Sequence, residues 1–173
     1  MGFIEDMKKV SAEAACALRT KSANANKRDR YKKYHGYYSS EAEFVAEVYR
    51  ELVFLDKRYL DTLHINYYIP KPKQRSLLRV LPDIVQNSPN GGRTVVEVKA
   101  VWFTLEGGDG LYKVDSDRIT KDYEKLRDKY KSFDYKILLV SFLGEPEDYH
   151  RNKFHSLVQE LVHGKSSIEV ITC

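Results

Sequence analysis

Three of the charged residues within two largely apolar segments of this sequence have types that suit chemistry at a metal ion. Asp83 lies within LLRVLPDIV, while Glu97 and Lys99 lie within TVVEVKAVWF. Both segments are rich in β-branched residues, which indicates strands, and alternate strand residues share a face, so Glu97 and Lys99 project together. The linking QNSPNGGR contains Asn-Gly-Gly, a strong turn signal. A hairpin symmetric about Asn90 makes Asp83 and Glu97 cross-strand partners, with Cβ atoms about 5 Å apart.

Two carboxylates that face each other repel, so this pairing requires either a cation or a function. Mg²⁺ takes oxygen ligands and is commonly held by one or two carboxylates together with substrate phosphates. Lys99 adds a positive donor that orients water or stabilises charge on an attacked phosphate. Metal-assisted phosphodiester hydrolysis needs these parts. The residues therefore predict a Mg²⁺ site at Asp83 and Glu97, with Mn²⁺ expected to substitute.

The surrounding sequence predicts an α/β domain with a mixed sheet. Ser39 and Ser40 followed by Glu43 resemble a capping box that opens a helix over 41–60. Strands are predicted over 64–69, 77–85, 94–103, 135–143 and 167–172, further helices over 3–20, 116–131 and 147–163, and a Gly-rich loop over 104–115. After the first helix the order is α-β-β-β-α-β-α-β, which combines a meander with crossover connections.

Pro82-Asp83, thirteen intervening residues and Glu97-Val98-Lys99 resemble the PD-(D/E)xK signature of restriction-endonuclease-like nucleases. The predicted order of elements over 41–143 resembles the αβββαβ core of that superfamily. The resemblance implies a Mg²⁺-dependent DNA endonuclease with Asp83, Glu97 and Lys99 as catalytic residues. It also implies products that carry a 5′-phosphate and a 3′-hydroxyl.

Nucleases of this superfamily often add a glutamate from the first core helix to the same metal. Glu41, Glu51 and Glu47 are the candidates, and they lie about 10°, 70° and 110° from the centre of the helix's apolar face. Glu41 also has apolar residues at +3, +4 and +7, a spacing that resembles the superfamily's helix pattern. We therefore expect Glu41 to be the third catalytic and metal-binding acid, ahead of Glu51 and then Glu47. The alternative for Glu41 is a first-turn acid favoured by the helix dipole.

Two basic segments are candidates for phosphate contacts. KSANANKRDRYKKYHGYY (21–38) has six Lys/Arg against one Asp and includes four Tyr, while PKPKQR (70–75) precedes the Asp83 strand. Phosphates attract Lys and Arg, and bases stack on Tyr. The residues expected to bind nucleic acid are Lys27, Arg28, Lys32, Lys33, Lys71, Lys73 and Arg75. Solvated linkers are the alternative for both segments, and Lys121 is a weaker candidate for substrate contact.

Composition limits the remaining possibilities. A chain of 173 residues suits one domain with an appendage, here an N-terminal helix and basic connector over 1–40 and a nuclease domain over 41–173. Cys16 and Cys173 do not make a disulfide framework, and no Cys/His group has zinc spacing. The N-terminus lacks the apolar region of a signal peptide, and no apolar stretch is long enough to span a bilayer. We expect a cytoplasmic protein without a membrane partner.

These observations together predict an endonuclease of restriction, repair or recombination type that acts on double-stranded DNA. The alternative is a catalytically inactive nucleic-acid-binding module on the same fold, favoured by the Tyr/Lys/Arg segment and by the formal charge of +4. A third possibility is a protein-interaction domain with a structural ladder of ion pairs. Double-strand cutting by a domain with one site requires a homodimer, and the 3–20 helix is a candidate interface.

Overall fold

The fold is a five-stranded mixed sheet with helices on both faces. The computed structural model describes residues 2–28, 41–65, 82–101, 108–143, 148–162 and 167–173. The helices are α1 (Phe3–Arg28), α2 (Glu41–Leu55), α3 (Tyr59–Thr62), α4 (Gly108–Asp128) and α5 (Asp148–Val162). The strands are β1 (Leu63–Ile65), β2 (Ile84–Asn87), β3 (Arg93–Val101), β4 (Tyr135–Phe142) and β5 (Ile168–Thr172). The predicted α/β class is confirmed, and the predicted order of elements is found with the short α3 added.

The sheet combines a meander with two crossovers. Its strand order is β1-β2-β3-β4-β5, in which β1, β2 and β3 are antiparallel neighbours while β3, β4 and β5 run parallel. Ile84 pairs with Val96, which is the predicted register symmetric about Asn90. Gly91 has a φ of +89°, a conformation that glycine adopts without steric cost. The turn chemistry thus sets the register that aligns Asp83 with Glu97.

Each face of the sheet has its own hydrophobic core. Val96 and Val98 of β3 belong to the core formed with α1 and α2. Val95 and Val101 belong to the core formed with α4 and α5. Because alternate strand residues share a face, Glu97 lies on the α4 side among apolar neighbours.

The helix α1 is part of the main core and is longer than predicted. Its buried residues are Asp6, Met7, Val10, Ser11, Ala14, Ala15 and Leu18, and the apolar members pack with α2 and the sheet. The predicted connector from residue 21 is wrong as far as Arg28, since 21–28 contain no Gly or Pro to end the helix. The boundary predicted at residue 40 lies outside the described residues and stays a prediction. The buried face of α1 is also not available as the suggested dimer interface.

Two other predicted boundaries differ from the structure. The helix predicted over 41–60 ends at Leu55, because the Asp56 carboxylate accepts the Arg58 amide at 2.9 Å and favours a turn. The loop predicted over 104–115 is wrong from Gly108 onwards, where α4 begins. The two glycines in its first turn, Gly108 and Gly110, each cost only roughly 1 kcal/mol relative to Ala, so they do not prevent the helix. Residues 39–40, 66–81 and 102–107, which include the predicted capping box and parts of three strands, lie outside the described residues.

Candidate active site

The candidate site lies where β2 begins, beside the part of β3 that extends past the first residue of β2. Ile84 is the first residue of β2 and pairs with Val96, whereas β3 runs on to Val101. The Val98 amide donates to Asp83 Oδ2 at 2.7 Å, and the Ala100 amide donates to Glu41 Oε2 at 3.3 Å. Two carboxylate oxygens therefore accept the hydrogen bonds that the backbone carbonyls of a neighbouring strand would otherwise accept.

Glu97 is a buried carboxylate with two compensating contacts. Its side chain is 3% exposed, Tyr130 Oη donates to its Oε1 at 2.6 Å, and Lys125 Nζ lies 2.7 Å from the same oxygen. Burial raises the pKa of Glu97 to about 7, although Lys125 and Tyr130 oppose this by stabilising the anion. The nearby charge of Asp83 raises the pKa further. Glu97 is thus a carboxylate whose ionisation near neutral pH depends on a nearby positive charge.

Lys99 joins the helices of the two opposite faces. Its Nζ lies 2.9 Å from Glu41 Oε2 on α2 and 3.1 Å from Asp122 Oδ2 on α4. Burial disfavours its charged form, but the Asp122 and Glu41 carboxylates outweigh burial and raise the pKa of Lys99. Lys99 therefore stays a cation, held beside the carboxylates and 14% exposed.

Asp83 has less compensation than its neighbours. Burial raises its pKa, and the charges of Glu41 and Asp122 raise it as well. The Val98 amide and Lys125 act in the other direction by favouring the ionised form. A cation close to Asp83 would relieve this remaining unfavourable charge.

The four residues predicted to carry the chemistry are all in this region. Glu41, Glu97 and Lys99 make the contacts described above, and Asp83 lies one residue before β2, in line with Glu97 by extension of the observed register. Of the three candidate glutamates on α2, Glu41 reaches Lys99, while Glu47 and Glu51 both pair with Arg50. Their catalytic and metal-binding roles stay predictions.

Three residues from the α4 side of the site were not predicted. Asp122 and Lys125 lie one turn apart on α4, and Tyr130 follows that helix by two residues. Their sequence signal is weak, because a charged residue beside a buried helical stripe usually faces solvent. Lys121, the residue suggested on this helix, is exposed.

The residues predicted to contact nucleic acid lie outside the described side chains. Lys27 and Arg28 lie in the last turn of α1, where side chains are not described. The others, Lys32, Lys33, Lys71, Lys73 and Arg75, lie outside the described residues.

The donor atoms of the site suit a hard cation, although they are not gathered around one. Asp83, Glu97, Glu41 and Asp122 offer carboxylate oxygens, the ligands that Mg²⁺ prefers. Within the described ranges, no group of three or more His, Cys, Asp or Glu residues is drawn together as a ready metal site. Lys99 and Lys125 pair with three of the four carboxylates instead. Four carboxylates against two ammonium groups leave a formal excess of two negative charges in this described cluster, which matches one divalent cation.

Comparisons with known proteins assign no family. No protein-family model matches the sequence, and no curated protein matches it. Among solved structures the chain is similar to SfsA of Pyrococcus furiosus, determined in complex with Ca²⁺, at 12% identity and a TM-score of 0.37. The similarity covers 74% of this chain and 55% of SfsA, so the chain spans about half the length of that protein. In the described part of the chain, the helices include none with the length and apolarity to cross a membrane.

Proposed function

We propose that this protein is a Mg²⁺-dependent nuclease of the PD-(D/E)xK class, an endonuclease that acts on DNA. The observation that carries the proposal is the arrangement at the start of β2. There, Asp83 and Glu41 accept hydrogen bonds from the backbone amides of Val98 and Ala100. Both carboxylates lie next to the buried Glu97 and the cation Lys99. Carboxylates and a lysine in this arrangement suit phosphodiester hydrolysis better than they suit sheet stability, because uncompensated buried charge is costly.

Each residue has a distinct role in this proposal. Asp83, Glu97 and Glu41 would hold the metal ion. When bound, Mg²⁺ supplies a lowered pKa for a coordinated water and offsets charge on the phosphate. Lys99, fixed between Glu41 and Asp122, directs its ammonium at the attacking water or at the phosphate oxygens. Asp122, 3.1 Å from Lys99 Nζ, would keep Lys99 in place if Glu41 held the metal.

Cleavage of supercoiled plasmid with Mg²⁺, with Mn²⁺ and with EDTA tests this function. We expect cleavage with either ion and none with EDTA. Asp83→Asn, Glu97→Gln and Lys99→Met should each lower the rate by at least about 10²-fold, the usual scale for a residue that stabilises charge in the transition state. Glu51→Gln is the matched control, because Glu51 lies on the same helix as Glu41 but pairs with Arg50. Wild-type levels of cleavage by Lys99→Met would contradict the assignment.

Sequence-independent affinity for DNA is proposed for the basic segment around residues 21–38. Neutralising Lys27, Arg28, Lys32 and Lys33 should weaken binding to all sequences. Each lost phosphate contact should change the slope of log Kd against log salt by roughly 0.9. Cleavage at saturating DNA should survive, because these residues are not proposed to touch the metal. An unchanged slope would mean that the segment is a linker.

A second function, nucleic-acid binding without turnover, is favoured by one observation. Three carboxylates of the described cluster already have lysine partners, so the cluster is partly neutralised without a metal. Such a module would bind DNA equally with Mg²⁺ and with EDTA and would not cleave it. A purely structural ion-pair network would bind neither DNA nor Mn²⁺.

A further inference from the structure

Lys125 makes a close ion pair with a carboxylate that the proposed metal would need. Its Nζ lies 2.7 Å from Glu97 Oε1, and the same oxygen accepts the Tyr130 hydroxyl. Glu97 is almost inaccessible, whereas the Lys125 side chain is 22% exposed. Lys125 is therefore the more solvent-accessible partner of this ion pair.

The two partners of Glu97 differ in their freedom to move. Tyr130 is 1% exposed and packs in the α4 core against Phe133, with ring centroids 5.7 Å apart. Lys125 has a four-carbon stem with several rotatable bonds, which lets its ammonium move into solvent. A change in the ligands of Glu97 would thus displace Lys125 and leave Tyr130 in place.

A divalent cation and an ammonium group compete for one carboxylate. Two cations held next to the same carboxylate oxygen repel each other, and the double charge of the metal ion makes this repulsion stronger than that between two ammonium groups. Lys99 would be affected less, because Asp122 remains its partner when Glu41 turns to a metal.

We propose that Lys125 is a positioning residue that acts as the resident counter-ion of Glu97, and that a divalent cation must displace it. The inference rests on the proposed function, since it assumes that Glu97 is a metal ligand. In the metal-free protein, Lys125 stabilises the buried carboxylate and keeps it aligned with Tyr130. Lys125 also weakens metal binding, because it competes with the metal ion for the Glu97 carboxylate. The site is therefore stable without metal at the expense of affinity for it.

The test is the affinity of Mn²⁺ for the full-length protein, measured by calorimetry and by the spin-resonance signal of free Mn²⁺. Lys125→Met removes the charge and keeps most of the side-chain length, and it should tighten Mn²⁺ binding by roughly tenfold, equivalent to 1.4 kcal/mol. The same variant should unfold at a lower temperature than wild type in EDTA. Lys129→Met, an exposed lysine just past α4, should change neither value.

A second variant guards against misfolding. Lys125→Gln can still donate to Glu97 but carries no charge, so it should also tighten Mn²⁺ binding and retain more of the metal-free stability. Unchanged or weaker Mn²⁺ binding by a folded Lys125→Gln protein would overturn the proposal. Lys125→Arg, which keeps the charge, should bind Mn²⁺ close to the wild-type level.

The outcomes separate this inference from the proposed function. If wild type binds Mn²⁺ and cleaves DNA, while both neutral variants bind Mn²⁺ no more tightly, then the counter-ion role alone is wrong. If neither wild type nor the neutral variants bind Mn²⁺, both proposals are wrong. Loss of Mn²⁺ binding in Glu97→Gln, together with tighter binding in Lys125→Gln, supports both.

Discussion

Glu97 combines a costly location with close compensation. A carboxylate in an apolar environment loses its hydration, and the effective penalty in proteins is several kcal/mol unless other groups replace the water. Lys125 and Tyr130 supply that replacement at 2.7 and 2.6 Å. The compensation is incomplete, because the pKa of Glu97 remains raised to about 7.

The metal-free protein should lose stability as pH rises from about 4.5 to 7. The folded protein, with a Glu97 pKa of about 7 against an ordinary 4.5, holds this proton more tightly than the unfolded chain does. Stability from this group is therefore present below pH 4.5 and lost as pH rises through 7. Urea unfolding in EDTA at several pH values measures the effect.

Glu97→Gln is the control for this pH dependence. The amide does not titrate, so the decline in the free energy of unfolding between pH 5 and 8 should be smaller in this variant. Mg²⁺ at pH 8 should raise the free energy of unfolding of the wild-type protein but not that of the Glu97→Gln variant. An identical pH profile in the two proteins would show that Glu97 is not the group responsible.

At the scale of elements, the start of β2 determines where the site forms. Had β2 begun a few residues earlier, its backbone would pair with the amides of Val98 and Ala100. Instead, the side-chain carboxylates of Asp83 and Glu41 accept hydrogen bonds from these two amides. The two acids therefore satisfy the backbone of β3 as well as contributing charge.

Asp83→Ala should destabilise the metal-free protein, and Asp83→Asn should do so less. Repulsion between carboxylates would by itself predict unchanged or higher stability on removal of Asp83. The alanine, however, leaves the Val98 amide without its acceptor, at a cost of about 1–3 kcal/mol. The asparagine retains a carbonyl oxygen. Both variants should lose cleavage.

Chemical denaturation in EDTA compares these variants. Asp128→Ala is the control, because Asp128 pairs with Arg127 at the exposed end of α4, and its loss should change stability by less than about 0.5 kcal/mol. Equal stability of Asp83→Ala and Asp83→Asn would show that the Val98 hydrogen bond contributes nothing measurable.

The sequence contained the information for one half of the site and not for the other. Turn chemistry and strand alternation are local, so they predicted the hairpin register and the shared face of Glu97 and Lys99. Asp122 and Lys125 reach the site because of how α4 packs on the sheet. That packing is a tertiary property, and a single sequence gives the helix's apolar stripe but not the partners of the charges beside it.

At the scale of the whole molecule, two layers of helices enclose one sheet, and α1 belongs to the larger core. Ala14 and Ala15 are fully buried, which indicates close approach between α1 and its neighbours. The helix predicted over 3–20 begins where α1 begins, but the prediction missed the last two turns of α1, which ends at Arg28. Nothing in the sequence pattern of α1 specified which elements it would cover.

Ala14→Leu should destabilise the protein by about 1–3 kcal/mol, because additional methylenes in a packed interface force neighbours to shift. Ala17→Leu, at an exposed position of the same helix, should be close to neutral. Thermal unfolding of the two variants measures the difference. If α1 were a detachable appendage, both substitutions would leave the main unfolding transition unchanged.

The double attachment of Lys99 has a consequence for the order of folding. Its partner Glu41 is 58 positions away in the chain and belongs to the α1/α2 layer, whereas Asp122 belongs to the α4/α5 layer. Contacts of such sequence separation form only after the intervening chain has closed into a loop, and the entropy lost in that closure precedes any stabilisation from the contact. The complete set of contacts therefore exists only after both layers have docked on the sheet. If the protein is the proposed nuclease, a nascent or half-folded chain should lack the complete site and should not cleave nucleic acid.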